Sequence, residues 1–149
     1  MTNQTDQVRV AIIGVGNCAS SFVQGVEYYK NSTDDVEVPG LMNVNLGGYH
    51  IKDIVFSAAF DVVEGKVGFD LGEAIWSEPN NTKKFADVDN LGVIVNRGMT
   101  HDGLGKYLGD VVKKAQGPTD DITQILKDTR TDVVVSYLPV GSEMATKWY

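Results

Sequence analysis

A short apolar run, Val8, Val10, Ala11, Ile12 and Ile13, stops at Gly14-Val15-Gly16-Asn17-Cys18-Ala19 and passes straight into a stretch of helical periodicity. Few folds accommodate that order. A strand ending at a glycine and turning directly into a helix brings the helix's unpaired N–H groups, with their partial positive charge, to one point in space. Such a point binds phosphate. The spacing is G-x-G-x-x-A: Gly14 allows the tight turn, Gly16 removes the Cβ that would block a pyrophosphate, and Ala19 lets helix and strand pack closely. The strand is apolar on both faces in its second half, as a parallel strand covered from two sides must be. Ala19, Phe22, Val23 and Val26 recur at i, i+3, i+4 and i+7, one face of a helix.

The chain has 149 residues, enough for one domain with a real core. A net charge of −7 with no Lys/Arg cluster argues against a nucleic-acid or acidic-membrane surface. The acidic pairs Asp34-Asp35 and Asp120-Asp121 read as solvated turn and helix-start residues, so no metal is implied. A single cysteine makes no internal disulfide, residues 1–7 are polar rather than signal-like, and no apolar run approaches membrane-spanning length. The expected location is cytoplasmic, and the Asn-x-Thr triplets are not read as glycosylation sites.

Four parallel strands are expected, over residues 8–13, 54–60, 91–96 and 133–137, with helices on both faces. This is an α/β, Rossmann-like, doubly wound sheet, short of the roughly six strands such a fold uses. Residues 31–53 exceed the roughly 2 to 6 residues of a normal α/β connection and read as an insertion. Two readings stay open for it: a surface excursion with a short hairpin, or a wall over a cofactor or a subunit contact. The second strand ends at Asp61, where a dinucleotide fold places the acid that accepts from the ribose hydroxyls and repels a 2′-phosphate. Removing the insertion restores the usual spacing from glycine turn to acid.

Helices are expected over residues 67–75, where Gly68 and Gly72 lower helix propensity but a glycine can permit a close approach, and over 104–115, whose apolar stripe reads as core. Another follows the cap Thr119-Asp120-Asp121, and a last one begins at Ser142 as N-cap with Met144, Ala145 and Trp148 inward. The loop 76–82 faces either a ligand or water. His101 reads as an exposed loop residue, and Cys18 as a small packing residue rather than a nucleophile.

The stretches Val10-Ala11-Ile12-Ile13-Gly14-Val15-Gly16-Asn17-Cys18-Ala19-Ser20-Ser21, Val23-Gln24-Gly25-Val26-Glu27-Tyr28-Tyr29 and Val38-Pro39-Gly40-Leu41-Met42 carry a resemblance. So do Ala59-Phe60-Asp61, Lys66-Val67-Gly68-Phe69-Asp70-Leu71, Asn80-Asn81-Thr82, Arg97-Gly98 with Asp102-Gly103, and Val135-Ser136-Tyr137-Leu138-Pro139-Val140-Gly141-Ser142-Glu143. Across nearly its whole length the chain resembles the NAD-dependent myo-inositol-1-phosphate synthases of bacterial and actinobacterial type. Met99 departs from the proline usual at that place. The resemblance implies that glucose 6-phosphate is oxidised by NAD at C5, closed by an intramolecular aldol step and reduced again to 1D-myo-inositol 3-phosphate. It implies an NAD site made by Gly14, Gly16, Asn17, Cys18, Ala19, Asp61, Asn81, Thr100, Asp102, Ser136, Leu138 and Pro139. It also implies that the catalytic lysines and the homotetramer belong to a domain after residue 149, so this chain alone is expected to be inactive. A plain NAD-dependent dehydrogenase and a nonenzymatic NAD-binding module are the alternatives, separated by net redox turnover and by the reading frame beyond Tyr149.

Overall fold

The computed structural model describes residues 7–149; the polar stretch 1–6 lies outside the described residues. Strand β1 (Val8–Ile13) lies between β4 (Ile54–Asp61) and β6 (Val133–Ser136), and β5 (Val95–Arg97) is the outer neighbour of β4. All three pairings are parallel. The chain therefore runs outward from β1 through β4 to β5, then returns to the other side of β1 with β6. That reversal puts a switch point, where a crevice opens, at the carboxyl ends of β1 and β6.

Both faces of the sheet are covered. Ile12, Phe56 and Ala59 pack with Ala19 and Val23 of helix α1 (Asn17–Tyr29) and with Leu71 and Ala74 of helix α2 (Leu71–Ala74). Ala11, Ile13, Ala58 and Phe60 pack with Ile122 of helix α4 (Ile122–Asp128). Simple alternation would put Phe56 and Ala58 on one face. They lie on opposite faces because the register slips between Val10 and Ala11, which pair with Phe56 and Ala58, so that Ser57 is the extra residue of a bulge. The Ser57 hydroxyl sits 2.8 Å from that of Thr131, beside the start of β6.

Residues 31–53 hold a small antiparallel hairpin, β2 (Asn45–Leu46) with β3 (Tyr49–His50), and one 3-10 turn, Ile51–Asp53. The segment is tied to the end of α1: Tyr29 donates to the Pro39 carbonyl at 3.0 Å and the His50 Nε2 lies 2.8 Å from the Ser32 carbonyl. Because it leads into Ile54, which pairs with Val8, it sits at the amino edge of the sheet. The glycine turn is at the opposite edge, about 20 Å away at about 3.3 Å per residue. The segment is thus no wall over the crevice of its own chain.

Three expected elements are shorter than their periodicity suggested. The strand at 91–96 is ordered as a strand only over Val95–Arg97. Its first part is captured by the buried carboxylate of Asp70, which accepts from Leu91 N and Val93 N at 2.9 Å each, while Leu71 N donates to the Val93 carbonyl at 2.7 Å. Those groups are therefore taken from any ladder with β4. The helix over 67–75 contracts to α2 because Gly68 takes φ +87° in a turn and Asp70 caps the helix from outside, accepting from Gly72 N at 2.8 Å. Gly72 does make the close approach: a Cβ there would lie 2.4 Å from the Asp89 carbonyl oxygen.

The helix over 104–115 is one turn, α3 (Gly105–Leu108). Leu104 is buried, but Tyr107 and Val111 are exposed, so the stripe is not core. Backbone groups beyond it leave the helix to bridge sideways: Glu64 N donates to the Lys113 carbonyl and Ala115 N to that of Val62. The last helix, α5 (Glu143–Trp148), follows Ser142, whose side chain makes no cap. Of the expected inward residues only Ala145 is buried; Met144 and Trp148 are exposed, and Tyr149 turns inward against Phe60 instead. No helix among the described residues is long and apolar enough to cross a membrane.

Candidate functional site

At the carboxyl edge the glycine turn is held from beneath by side chains. Gly14 N donates to the Phe60 carbonyl at 2.9 Å, extending the sheet one residue past β1. Gly14 then takes φ +85°, and a Cβ there would lie 3.2 Å from the Tyr137 carbonyl oxygen at the end of β6, so the turn fits the switch point only without a side chain. Val15 is fully buried. Its N–H donates to Asp61 Oδ2 at 2.7 Å, and its carbonyl accepts from Lys66 Nζ at 2.7 Å and from Asn80 Nδ2 at 3.1 Å. Gly16 is different: a Cβ there would meet nothing within 4 Å, so the space above it is open.

Helix α1 starts at that open space. Gly16 is its N-cap residue, no side chain caps it, and its first turn holds no acid, so its positive end is not neutralised locally. A cavity of about 270 Å³ opens here. Its lining includes Gly14, Gly16, Asn17, Cys18, Asp61, Lys66 and Asn80, the apolar residues Val62, Val63, Leu104, Leu108 and Val112, and Tyr137, Leu138, Pro139 and Tyr149. A cavity that combines the open start of a helix with apolar lining residues suits a ligand with both a phosphate and a flat ring.

Asp61 accepts three backbone N–H groups, from Val15 at 2.7 Å, Val62 at 2.7 Å and Val63 at 2.9 Å. A carboxylate offers about four acceptor directions, so one remains on a side chain that lines the cavity. Lys66 is only 2% exposed. Burial pushes its amine below the ordinary lysine range, opposed by the nearby Asp61 carboxylate. It donates to Asn80 Oδ1 at 2.8 Å as well as to Val15, so its charge sits in a bonded polar nest. Burial also pushes the phenols of Tyr137 and Tyr149 up.

Of the twelve residues assigned to a cofactor by resemblance, Gly14, Gly16, Asn17, Cys18, Asp61, Leu138 and Pro139 line this cavity together. The other five do not. Ala19 is wholly buried between α1 and the sheet. Asn81 braces α1: its N–H donates to Asn17 Oδ1 at 2.8 Å, and its own Oδ1 accepts from Asn17 Nδ2 at 2.8 Å. Thr100 accepts from Arg97 Nη2 at 2.9 Å in the loop after β5. Asp102 caps α5, accepting from Ala145 N at 2.8 Å and Met144 N at 3.0 Å, which holds its carboxyl below the usual carboxylate range. Ser136 ends β6 opposite Ile13 and is exposed. Cys18 is exposed on the cavity rim rather than packed, and His101 is exposed.

Sequence reasoning missed Lys66, Asn80, Tyr137 and Tyr149. Lys66 stood in a matched stretch but carried no signal of burial, since a lysine next to a glycine reads as surface. Asn80 belonged to the loop 76–82 whose direction stayed open; it faces the glycine turn. Among the described residues no group of three or more His, Cys, Asp or Glu side chains could hold a metal ion.

The parallel sheet covered on both faces, with a glycine turn at its switch point, defines a Rossmann-like α/β fold. No family model matches the chain. It is 54% identical over 149 residues to the inositol-3-phosphate synthase of Mycolicibacterium smegmatis, covering 100% of this chain and 41% of that protein. It is 58% identical over 143 residues to that of Mycobacterium tuberculosis, covering 96% and 39%. Among solved structures, the crystal structure of Ari2 shares 28% identity at a TM-score of 0.74, covering 93% of this chain and 40% of that one. A myo-inositol-1-phosphate synthase-related protein from Thermotoga maritima, 23% identical at a TM-score of 0.60 over 89% of this chain and 34% of that one, shares the fold. Over the region it spans, the chain is similar to the inositol-3-phosphate synthases of these actinobacteria. That region is about two fifths of the length of the curated relatives it matches.

Proposed function

We propose that the cavity binds NAD and that the chain acts as the nucleotide-binding N-terminal part of an inositol-3-phosphate synthase. The activity proposed for the whole protein is conversion of D-glucose 6-phosphate to 1D-myo-inositol 3-phosphate by internal oxidation, ring closure and reduction. The observation that carries the reading is the open space over Gly16, set between the uncapped start of α1 and the Gly14 turn at the switch point. When bound, NAD supplies the acceptor and later the donor of the hydride.

The chain's own part is to bind and orient. The Gly16 region and the first turn of α1 receive the diphosphate, the remaining acceptor direction of Asp61 takes a ribose hydroxyl, and the slot of Val62, Val63, Leu108 and Val112 receives the adenine. An acid at that place favours NAD over NADP. The sugar chemistry and the tetramer belong to residues outside these 149, so the chain alone is proposed to turn over nothing.

Titration of NAD and NADP against intrinsic fluorescence tests the binding. NAD is expected to bind more tightly, and Gly16→Val to weaken it at least about tenfold, roughly 1.4 kcal/mol. Unchanged binding by a folded Gly16→Val protein would move the nucleotide elsewhere. Supplying glucose 6-phosphate and NAD to the 149-residue protein is expected to release no inositol phosphate; turnover above that of Gly16→Val would refute the placement of the chemistry.

A further inference from the structure

Buried Lys66 and half-buried Asn80 both donate to one atom, the Val15 carbonyl oxygen. In a trans peptide the C=O and the following N–H point in opposite directions. Holding the Val15 carbonyl therefore fixes the direction of the Gly16 N–H, which points away from Lys66 Nζ and Asn80 Nδ2. The neighbouring peptide is fixed in the same way, since the Val15 N–H is held by Asp61 Oδ2. A turn of two glycines would otherwise have freedom to rotate these planes.

We propose, building on the nucleotide reading, that Lys66 and Asn80 are a positioning pair for the diphosphate: by holding the Val15 carbonyl they set the Gly16 N–H toward it. Lys66 is suited to this because its amine has three donors and spends two on fixed acceptors, Val15 O and Asn80 Oδ1. Asn80 is itself oriented, with Nδ2 also donating to the Ile75 carbonyl at 3.0 Å at the end of α2. The pair thus couples α2 and the loop after it to the glycine turn.

The test separates the two ends of the ligand. NAD, ADP and adenosine are titrated by saturation-transfer NMR against the wild-type chain, Lys66→Met, Asn80→Leu and the double variant. In Lys66→Met and in Asn80→Leu, NAD and ADP are expected to weaken about tenfold, the loss of one or two well-placed hydrogen bonds to an anion, while adenosine changes less than about twofold. The double variant is expected to lose little more than either single one, because the two side chains act on one carbonyl. Equal loss of all three ligands, or strict additivity, would mean a merely structural role and would overturn the proposal. Unchanged NAD and ADP binding in either folded variant would overturn it too, and the Asn80→Leu protein carries the test if Lys66→Met does not fold. A wild-type chain that binds none of the three ligands would instead overturn the nucleotide reading, and this proposal with it.

Discussion

Replacing Asp61 with asparagine separates two roles that coincide in one carboxylate: acceptor for a ribose and brace for the glycine turn. The side chain accepts from Val15 N through Oδ2 and from Val62 N and Val63 N through Oδ1. Asparagine has one acceptor oxygen and one NH2 group, so it can satisfy one side only. Keeping the bonds to Val62 and Val63 turns the NH2 onto the buried Val15 N–H, donor against donor. The lost hydrogen bond to a charged acceptor is worth about 1.5 to 3 kcal/mol, and the stranded donor adds to it. Asp61→Asn is therefore expected to cost about 2 to 4 kcal/mol in the absence of any nucleotide. For a chain of this size that is a fall of about 5 to 15 °C in melting temperature. Urea unfolding of nucleotide-free wild type and variant, followed by far-UV circular dichroism, measures it directly. A variant within about 0.5 kcal/mol of wild type would refute the brace and leave Asp61 as a ligand contact alone.

Gly72→Ala places a methyl 2.4 Å from the backbone carbonyl oxygen of Asp89 and is expected to destabilise by about 1 to 3 kcal/mol despite alanine's better helix propensity; a chemical denaturation midpoint at or above wild type would refute the close packing. Lys66 titrates below its ordinary 10.5 in the folded chain because of burial, with Asp61 opposing, so between the two values the unfolded state holds more protons and stability rises with pH. The raised Tyr149 phenol acts in the opposite sense above its ordinary 10.0, so the quantity to measure is the urea midpoint of wild type minus that of Lys66→Met, which is expected to increase from pH 8 toward 10.5. Asp102, held low by the N–H groups of Ala145 and then Met144, contributes stability present above its unfolded value and lost as pH falls through its folded one. Asp102→Ala is expected to speed amide exchange at Met144 and Ala145 while leaving that of Ile12 unchanged.

Residues 8–29 were legible because their signals are local. A both-faced apolar strand, two glycines at fixed spacing and a 3.6-residue stripe each depend on near neighbours, and β1, the Gly14 turn and α1 follow from them. The end of β4 at Asp61, the position of β6 and the start of α4 were legible for the same reason. What the sequence could not decide was where backbone donors find acceptors when several are within reach. Asp70 takes the amides of Leu91 and Val93, so an apolar run that reads as strand begins as an irregular segment. Gly68 and Gly72 shorten or crowd α2 through a left-handed turn and a neighbouring carbonyl that lie outside any local window.

The candidate site divides in the same way. Gly14, Gly16 and Asp61 announce themselves by spacing, but the two side chains that hold the Val15 carbonyl come from 51 and 65 positions away. Asp102 became a cap for α5 rather than a cavity residue because the loop after β5 and the one after β6 both leave the carboxyl edge of the sheet, a consequence of its parallel strands. Spacing along the chain thus determined the turn, its helix and the acid that follows the second long strand. Only the folded sheet, by choosing which distant donors and acceptors become neighbours, decided which way that turn's peptide groups face.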